Sequence, residues 1–239
     1  MIRKKNIIVT GASGYLGNEI SKSFNNDNNK LILQYNRNFQ NLNPFNSAIK
    51  IQSDLGKRKS RKKFIEKIRN LNSKIDVLIL NAGSALIFKN FWESDVSLFE
   101  SSIALNFIAP MEIIKEVFDL LNPNSSIIFI SSNSVKYNGG VNGFHYTAAK
   151  AASESFMLGL SKIAANKHIR INIIRVGLMN GGQSHNLDGY SKHTLNKRKK
   201  LIPTGKFVDP YEVAQMCTHI SSDEMKSISG SIITISSGE

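Results

Sequence analysis

The sequence predicts an α/β fold: a doubly wound parallel sheet in a single domain, with helices on both faces. Two observations predict it. Seven short apolar runs alternate with longer amphipathic segments, which is typical of parallel strands joined by crossover helices. The chain has 239 residues, 41% of them hydrophobic and 21% charged, with no internal repeat and no linker rich in proline or glycine. This composition favours one globular domain with a large core over two small domains.

The seven predicted strands are NIIVTGA, KLILQYN, AIKIQSD, DVLILNAG, SSIIFISS, IRINIIRVG and SIITIS. In an open parallel sheet, ligands bind beyond the carboxyl ends of the strands, where the strand order reverses. We therefore expect one crevice to be lined by the polar residues and glycines that close these runs, namely Thr10, Gly11, Asn36, Arg37, Asp54, Asn81, Ser132 and Gly177.

Charge and cysteine content limit the possible partners and location. The net charge is +13, but the densest basic runs, at 57–63 and 196–200, have no interleaved aromatic residues on which bases could stack. We interpret them as solvated surfaces and expect no nucleic-acid partner.

The first apolar run, Ile7 to Val9, is too short for a signal peptide or a membrane span. A single cysteine, Cys217, cannot form an intramolecular disulfide, so we expect a cytoplasmic protein with no membrane partner.

The first strand is followed by a glycine-rich turn, TGASGYLG at 10–17, which leads into the segment YLGNEISKSFN. Glycines at 11, 14 and 17 let the backbone turn tightly and approach a pyrophosphate, whose charge is stabilised by a helix N-terminus. Nowhere is a glycine followed by the lysine and hydroxyl residue of a P-loop. The turn therefore predicts a dinucleotide ligand rather than a nucleoside triphosphate.

The stretch YTAAK places a phenol, Tyr146, and an ammonium, Lys150, four residues apart on a predicted helix. Residues at this spacing lie on one helix face, one turn apart, and can contact the same ligand. The alternative interpretation is a half-buried tyrosine beside an unrelated surface lysine.

Taken together, the ordered motifs resemble the short-chain dehydrogenase/reductase family, in its shorter-chain branch. The matching stretches are TGASGYLG, SDL at 53–55, LNAG at 80–83, LNFIAP at 105–110, ISS at 130–132, YTAAK, RINIIRVG and IPTGKFVDPYEVAQ. The resemblance implies one Rossmann-type NAD(P)-binding catalytic domain over residues 1–239. It also implies a homodimer or homotetramer, assembled through the helices that hold Asn106 and Tyr146. Tyr15 departs from the shorter branch, which usually has glycine there.

The resemblance also implies catalytic roles. Tyr146 exchanges a proton with the substrate oxygen, while Lys150 binds the nicotinamide ribose and favours the phenolate form of the tyrosine. Ser132 holds the substrate oxygen, with Ser134 as the alternate. Asn106 bends its helix and holds a water molecule in a proton relay to the lysine.

The expected cofactor is NADP rather than NAD. No carboxylate stands at the end of the second strand to accept hydrogen bonds from ribose hydroxyls, whereas the Arg37 guanidinium can bind a 2′-phosphate. Asp54 and Leu55 match the family's adenine contacts, and Asn81, Ala82 and Gly83 match its ribose-supporting stretch. We expect no metal site. The expected cofactor-binding residues are Gly11, Ser13, Gly14, Tyr15, Leu16, Gly17, Asn36, Arg37, Asp54, Leu55, Asn81, Ala82, Gly83, Tyr146, Lys150, Gly177 and Leu178.

The predicted activity is hydride transfer between NADP(H) and a small carbonyl compound or secondary alcohol. A polar segment at about 178–205 is expected to cover the substrate like a lid. Its cationic residues favour an acidic substrate; they are Lys192, Lys197, Arg198, Lys199 and Lys200. The alternative function is a redox sensor that binds the dinucleotide without turnover, but such proteins usually lack the tyrosine or the lysine that this chain has.

Overall fold

The computed structural model describes residues 4–86, 89–137, 142–182 and 192–239, and its centre is a seven-stranded sheet. All strand pairs are parallel, and the spatial order is β3-β2-β1-β4-β5-β6-β7. The strands are β1 (Lys5–Val9), β2 (Asn29–Tyr35), β3 (Ile49–Gln52), β4 (Ile75–Leu80), β5 (Leu121–Ser132), β6 (Arg170–Val176) and β7 (Ile232–Ile235). Each of the seven apolar runs forms one of these strands, which confirms the predicted doubly wound α/β fold.

Within the described residues, seven α-helices connect the strands and cover both faces of the sheet. They are α1 (Tyr15–Ser23), α2 (Arg58–Asn70), α3 (Val96–Ile103), α4 (Ala109–Val117), α5 (Phe144–Ala165), α6 (Lys192–Leu201) and α7 (Pro210–Ser221). On one face, the core includes Phe64 of α2, Ile113 of α4 and Met157 of α5. On the other face, Ile20 of α1 and Val213 of α7 pack against the sheet. Because both faces are covered, the strands are apolar almost throughout.

The strand order reverses at β1, which lies between β2 and β4. The chain therefore moves outward in opposite directions from this strand, and the crossovers diverge at its carboxyl end. A crevice opens between diverging crossovers, and the first glycine of the turn, Gly11, lies at its base. This topology places the turn beside the ends of β2 and β4.

The connection between α3 and α4 is a π-helical turn, Ala104–Ile108, with Asn106 at its centre. The family resemblance implies that Asn106 bends its helix, and the helix widens into a π turn at this residue, where the Asn106 side chain bonds to the loop after β4. The whole stretch Val96–Leu120 is long and apolar enough to span a membrane by composition. Ile113, Ile114 and Val117 pack into the core, which explains much of that apolar character.

The expected lid-like segment begins at the end of β6. Leu178 packs with Leu195, Ile202 and Phe207 in a small apolar cluster, and Met179 pairs with Val208 in an isolated parallel bridge. Helix α6 occupies Lys192–Leu201 of this segment. Residues 183–191 lie outside the described residues, so the lid function stays a prediction.

Candidate active site

The glycine turn leaves backbone donors available at the start of α1. The helix begins at Tyr15, and its N-cap residue, Gly14, makes no side-chain cap bond. The first amide groups of a helix have no acceptor within the helix, so those of this first turn can donate to an anion. A Cβ atom on Gly17 would lie 2.1 Å from the carbonyl oxygen of Gly11, and Gly11 has a φ of +66°. This cradle fits the pyrophosphate of a dinucleotide and tolerates no larger side chain at either position.

Three polar side chains fix the glycine turn through hydrogen bonds to its backbone and to the end of β4. The Thr10 hydroxyl accepts hydrogen bonds from the backbone amides of Asn81 and Ala82, each at 3.0 Å. The Asn81 side chain donates to the carbonyl oxygens of Thr10 and Gly11, at 3.0 and 3.3 Å. From β2, the buried Gln34 accepts a bond from the Gly11 amide at 2.8 Å. Asn81 and Ala82 therefore join β4 to the turn.

The predicted adenosine side lies at the ends of β2 and β3. Asn36 and Arg37 are exposed, and the Ser13 hydroxyl donates to the Arg37 carbonyl oxygen at 2.8 Å. Ser13 therefore ties the turn to the loop that presents the guanidinium. Asp54 accepts a bond from the Gly56 amide at 3.1 Å, and Leu55 is buried. These contacts fix the loop after β3 at the same edge of the sheet as the glycine turn.

Tyr146 lies at the start of α5 and meets the carboxyl end of β5. Burial raises the pKa of its phenol to about 12, and the nearby Ser132 hydroxyl partly opposes this rise. The hydroxyl of the alternate serine, Ser134, accepts a bond from Thr147 at 3.3 Å. Of the two serines, Ser132 is the one that affects the phenol pKa, and its assignment as the catalytic serine stays a prediction.

Lys150 is 2% exposed, one helical turn after Tyr146. Its ammonium donates to the Ile130 carbonyl oxygen at 2.8 Å and lies 4.7 Å from the centroid of the Phe129 ring. Burial lowers its pKa to about 7, against the opposing effect of the Glu154 carboxylate. The ammonium is 5.7 Å from the Tyr146 ring centroid.

The family resemblance implies that Lys150 favours the phenolate of Tyr146 together with the positive charge of oxidised nicotinamide, and this joint effect stays a prediction; burial of the phenol acts in the opposite direction. The charged form of the phenol is disfavoured by burial more than its neighbours stabilise it. The lysine itself is only partly protonated near neutral pH, since burial disfavours the ammonium as well. A raised pKa favours the protonated phenol, which is the form that can act as an acid.

Asn106 joins the lysine to the loop after β4. Its side chain accepts a bond from the Ser84 amide at 3.1 Å and donates to the Ser84 carbonyl oxygen at 2.9 Å. A Cβ atom on Gly83 would lie 2.7 Å from the Asn106 Oδ1 atom and 2.9 Å from the Lys150 Nζ atom. The absence of a side chain at Gly83 is thus what lets these polar groups converge beneath the crevice.

Gly177 and Leu178 follow β6 at the far side of the site. The Gly177 amide donates to the Ile235 carbonyl oxygen, and the Leu178 carbonyl oxygen accepts a bond from the Val208 amide. Both residues therefore continue the backbone hydrogen bonding beyond the end of β6. Across the ranges that the structure describes, no group of three or more histidine, cysteine or acidic residues could hold a metal ion.

Sequence reasoning missed several polar residues that support the site. Gln34 is a buried polar residue that directly follows the apolar stretch Leu31 to Leu33 in β2. A polar residue at such a position was the sequence signal that could have pointed to a role in the site. Glu154 and Arg175 form a largely buried ion pair beside Lys150. Glu154 follows Lys150 by four residues, a spacing that placed it on the same helix face, but only the fold shows that β6 supplies its partner.

A glycine turn at the start of α1, a half-buried tyrosine and serine beside a buried lysine, and a seven-stranded parallel sheet are together typical of a Rossmann-type oxidoreductase. Within that class the chain belongs to the short-chain dehydrogenase/reductase family. The family model described as enoyl-(acyl carrier protein) reductase matches residues 11–239.

Individual relatives agree with this assignment over nearly the whole chain. An uncharacterized oxidoreductase of Bacillus subtilis, YmfI, is 24% identical and covers 98% of each chain. The 3-oxoacyl-[acyl-carrier-protein] reductase FabG of Rickettsia conorii is 26% identical and covers 98% of this chain and 96% of its own. A solved short-chain dehydrogenase from Burkholderia cenocepacia, in complex with NADP, has a TM-score of 0.89 at 19% identity; the match covers 99% of this chain and 98% of that one.

We predict that Gly17→Ala weakens NADP(H) binding, because the added methyl group collides with the Gly11 carbonyl oxygen and displaces the turn. Overpacking of this kind costs about 1–3 kcal/mol, which corresponds to a roughly tenfold to hundredfold loss of affinity. Fluorescence titration with NADPH measures the dissociation constant. The matched control is Gly159→Ala in α5, where a Cβ atom meets nothing within 4 Å. It should leave affinity unchanged and raise stability by about 0.5–1 kcal/mol. Equal affinity in both variants would contradict the assigned turn.

Proposed function

We propose that this protein is an NADP(H)-dependent oxidoreductase that interconverts a carbonyl compound and a secondary alcohol. One observation carries the proposal: the Tyr146 phenol lies near the Ser132 hydroxyl at the carboxyl end of β5, with the Lys150 ammonium 5.7 Å from the phenol ring centroid. Two hydroxyl donors that meet at one point can both contact a single substrate oxygen. The uncapped turn of α1 opens on the same edge of the sheet and supplies the binding site for the dinucleotide phosphates.

The nicotinamide of NADP(H), when bound, supplies or accepts the hydride at the substrate carbon. In the direction of carbonyl reduction, Tyr146 donates its proton to the developing alkoxide, and Ser132 donates a hydrogen bond to the same oxygen. A phenol with a pKa near 12 keeps its proton at neutral pH and is therefore ready for this direction. Helix α5, which carries the phenol, is tied to β5 by the bond from Lys150 to the Ile130 carbonyl oxygen and to the π turn by the bond from Ser153 to the Asn106 carbonyl oxygen.

NADP is the proposed cofactor in preference to NAD. The exposed Arg37 follows β2, where an NAD-binding site would carry a carboxylate. The Burkholderia relative is itself an NADP complex. A guanidinium binds phosphate through charge-assisted bonds, so Arg37 is suited to the 2′-phosphate that distinguishes the two cofactors.

The proposed substrate is an acidic carbonyl compound, and a 3-oxoacyl thioester is the first to test because the Rickettsia relative is named for that activity. Helix α6 carries a run of cations over residues 197–200, close in sequence to the end of β6. The alternative, a redox sensor that binds NADP(H) without turnover, predicts binding but no NADPH consumption with any carbonyl compound.

We further propose a cytoplasmic homodimer or homotetramer that does not bind membranes or nucleic acid. Val96 at the start of α3, and Phe144 and Ile163 of α5, are exposed apolar side chains on the helices around the site. Burial of such residues against a second copy would remove apolar area from water. Sedimentation analysis of the purified protein tests the oligomeric state.

We predict that Tyr146→Phe abolishes turnover while the dissociation constant for NADPH stays within a few-fold of that of the wild type. The variant removes only the hydroxyl that transfers the proton, whereas the glycine turn still binds the dinucleotide. NADPH absorbance reports turnover with a panel of ketones and 3-oxoacyl thioesters, and fluorescence reports binding. Turnover by the wild type that persists in Tyr146→Phe would remove the tyrosine from the mechanism. Binding without turnover in the wild type would favour the sensor.

The two candidate serines are separated by a second pair of variants. Ser132→Ala should cost about 2–4 kcal/mol in kcat/KM, the range for loss of one donor to a developing oxyanion. Ser134→Ala should have a mild effect because its hydroxyl contacts Thr147 rather than the phenol. The reverse ranking in steady-state kinetics would assign the role to Ser134.

Cofactor preference is tested at Arg37. Charge-assisted bonds to the 2′-phosphate should favour NADP over NAD by about 1.5–3 kcal/mol. Arg37→Asp should reverse the preference, since a carboxylate repels the phosphate and accepts bonds from the ribose hydroxyls. The wild-type preference should weaken as salt rises, because the screening length is about 10 Å at 0.1 M ionic strength. Equal binding of NAD and NADP by the wild type, unchanged by Arg37→Asp, would contradict the NADP assignment.

A further inference from the structure

The ion pair between Glu154 and Arg175 joins the catalytic helix to the sheet. Glu154 is 3% exposed, on α5, one turn beyond Lys150. The Arg175 guanidinium, on β6, donates to both carboxylate oxygens, with its Nε atom 2.9 and 3.1 Å away and its Nη2 atom 2.5 Å from Oε2. A carboxylate held by a fork of this kind has a fixed orientation as well as a charge partner.

A third bond brings β5 into the same cluster. The Ser131 hydroxyl donates to the Glu154 Oε1 atom at 2.6 Å, and Ser131 lies directly opposite Arg175 in the pairing of β5 with β6. The carboxylate therefore binds two neighbouring strands at their carboxyl ends. Ser131 immediately precedes Ser132, the serine that lies near the phenol.

Helix α5 thus contacts the end of β5 through three successive turns. Tyr146 lies near Ser132, Lys150 donates to the carbonyl oxygen of Ile130, and Glu154 accepts the bond from Ser131. The first two contacts involve the proposed catalytic residues. The third has no role in the proposed chemistry, yet it carries a buried charge.

We propose that Glu154 and Arg175 are positioning residues of the oxidoreductase site, which fix α5 against β5 and β6 and set the charge that faces the Lys150 ammonium. This inference rests on the proposed function for its catalytic meaning, but the electrostatic part is a property of the protein alone. The titratable and charged groups around the lysine are Tyr146 and Glu154 on its own helix and Arg175 on β6, beyond the carboxylate. The groups that β5 and the loop after β4 present to it are the Ile130 carbonyl oxygen, the Phe129 ring and Gly83.

The two partners should act on the lysine with opposite signs. Glu154→Gln removes the negative charge and leaves the Arg175 cation nearby, so the ammonium becomes less favourable and its pKa falls below about 7. Arg175→Met leaves the carboxylate with the lysine as its nearest cation, so the lysine pKa rises. Both variants break the same ion pair. A cluster that served only to hold the fold together would not give opposite shifts.

The test is an NMR titration of the cofactor-free protein labelled with ¹³C-lysine, in which the ¹³Cε shift of Lys150 reports its protonation. Lys150→Arg identifies the signal by its loss. We expect the midpoint to move by roughly one pH unit or more, down in Glu154→Gln and up in Arg175→Met. Arg175→Lys keeps the charge and should restore a midpoint near that of the wild type. A shift in the same direction for both variants, or no shift in Glu154→Gln, would overturn the proposal.

A matched control is Glu112→Gln, which breaks the other well-buried ion pair described in the chain, between Arg61 of α2 and Glu112 of α4. It should lower the thermal midpoint and leave the Lys150 titration unchanged. The thermal midpoints of all variants identify any that fail to fold. If Arg175→Met fails to fold, the Lys150 midpoint of Glu154→Gln is compared with that of Arg175→Lys, the most conservative variant.

Turnover gives a second and separable measurement. If the ammonium is required, kcat/KM falls as pH rises through the lysine pKa, so this alkaline limb should move to lower pH in Glu154→Gln and to higher pH in Arg175→Met. Absence of turnover in the wild type would contradict the proposed function and leave the NMR result to decide the electrostatic role. Turnover with alkaline limbs at the same pH in all variants would contradict the positioning role alone.

Discussion

The arrangement of the site depends on the burial of one cation, the Lys150 ammonium. Transfer of an unpaired ammonium from water into a protein interior is costly, so each group around it has to compensate. The Ile130 carbonyl oxygen accepts its hydrogen bond, the Phe129 ring lies 4.7 Å away, and the Glu154 carboxylate opposes the loss of its charge. Its pKa of about 7 shows that compensation is incomplete. A lysine in this condition changes its charge near neutral pH, so small changes in its surroundings alter the site.

Much of this fold was predictable from sequence because its signals are local. Strands buried on both faces are continuous apolar runs, and all seven were found in this way. The glycine turn was predictable for a similar reason, since Gly11 and Gly17 stand where no Cβ atom fits. The bend at Asn106 was implied only by the family resemblance and not by local signals, because it depends on bonds to Ser84, which comes 22 residues earlier.

Electrostatics marked the limit of sequence reasoning in the site itself. The spacing of Tyr146 and Lys150 correctly predicted that they are neighbours, and the expected effect was a lowered tyrosine pKa. That effect combines the lysine charge with the positive charge of oxidised nicotinamide, and burial opposes it at both groups. At Tyr146 the effect of burial is larger than the opposing effect of Ser132. The sign of the pKa shift was therefore decided by contacts distant in sequence.

The same reasoning explains why a charged pair is informative next to this lysine. An isolated buried ion pair contributes little net stability, since desolvation offsets most of the attraction, and well-packed apolar residues can hold two elements together equally well. Apolar residues at 154 and 175 could thus join α5 to the sheet, but they could not supply a negative charge to Lys150 or a fixed acceptor to Ser131. Glu154 alone would supply both at the cost of an uncompensated carboxylate. The two-point contact with the Arg175 guanidinium orients that carboxylate and offsets part of its charge. The Glu154 carboxylate still raises the pKa of Lys150. The pair is therefore better suited to tuning and orienting the site than to stabilising the fold.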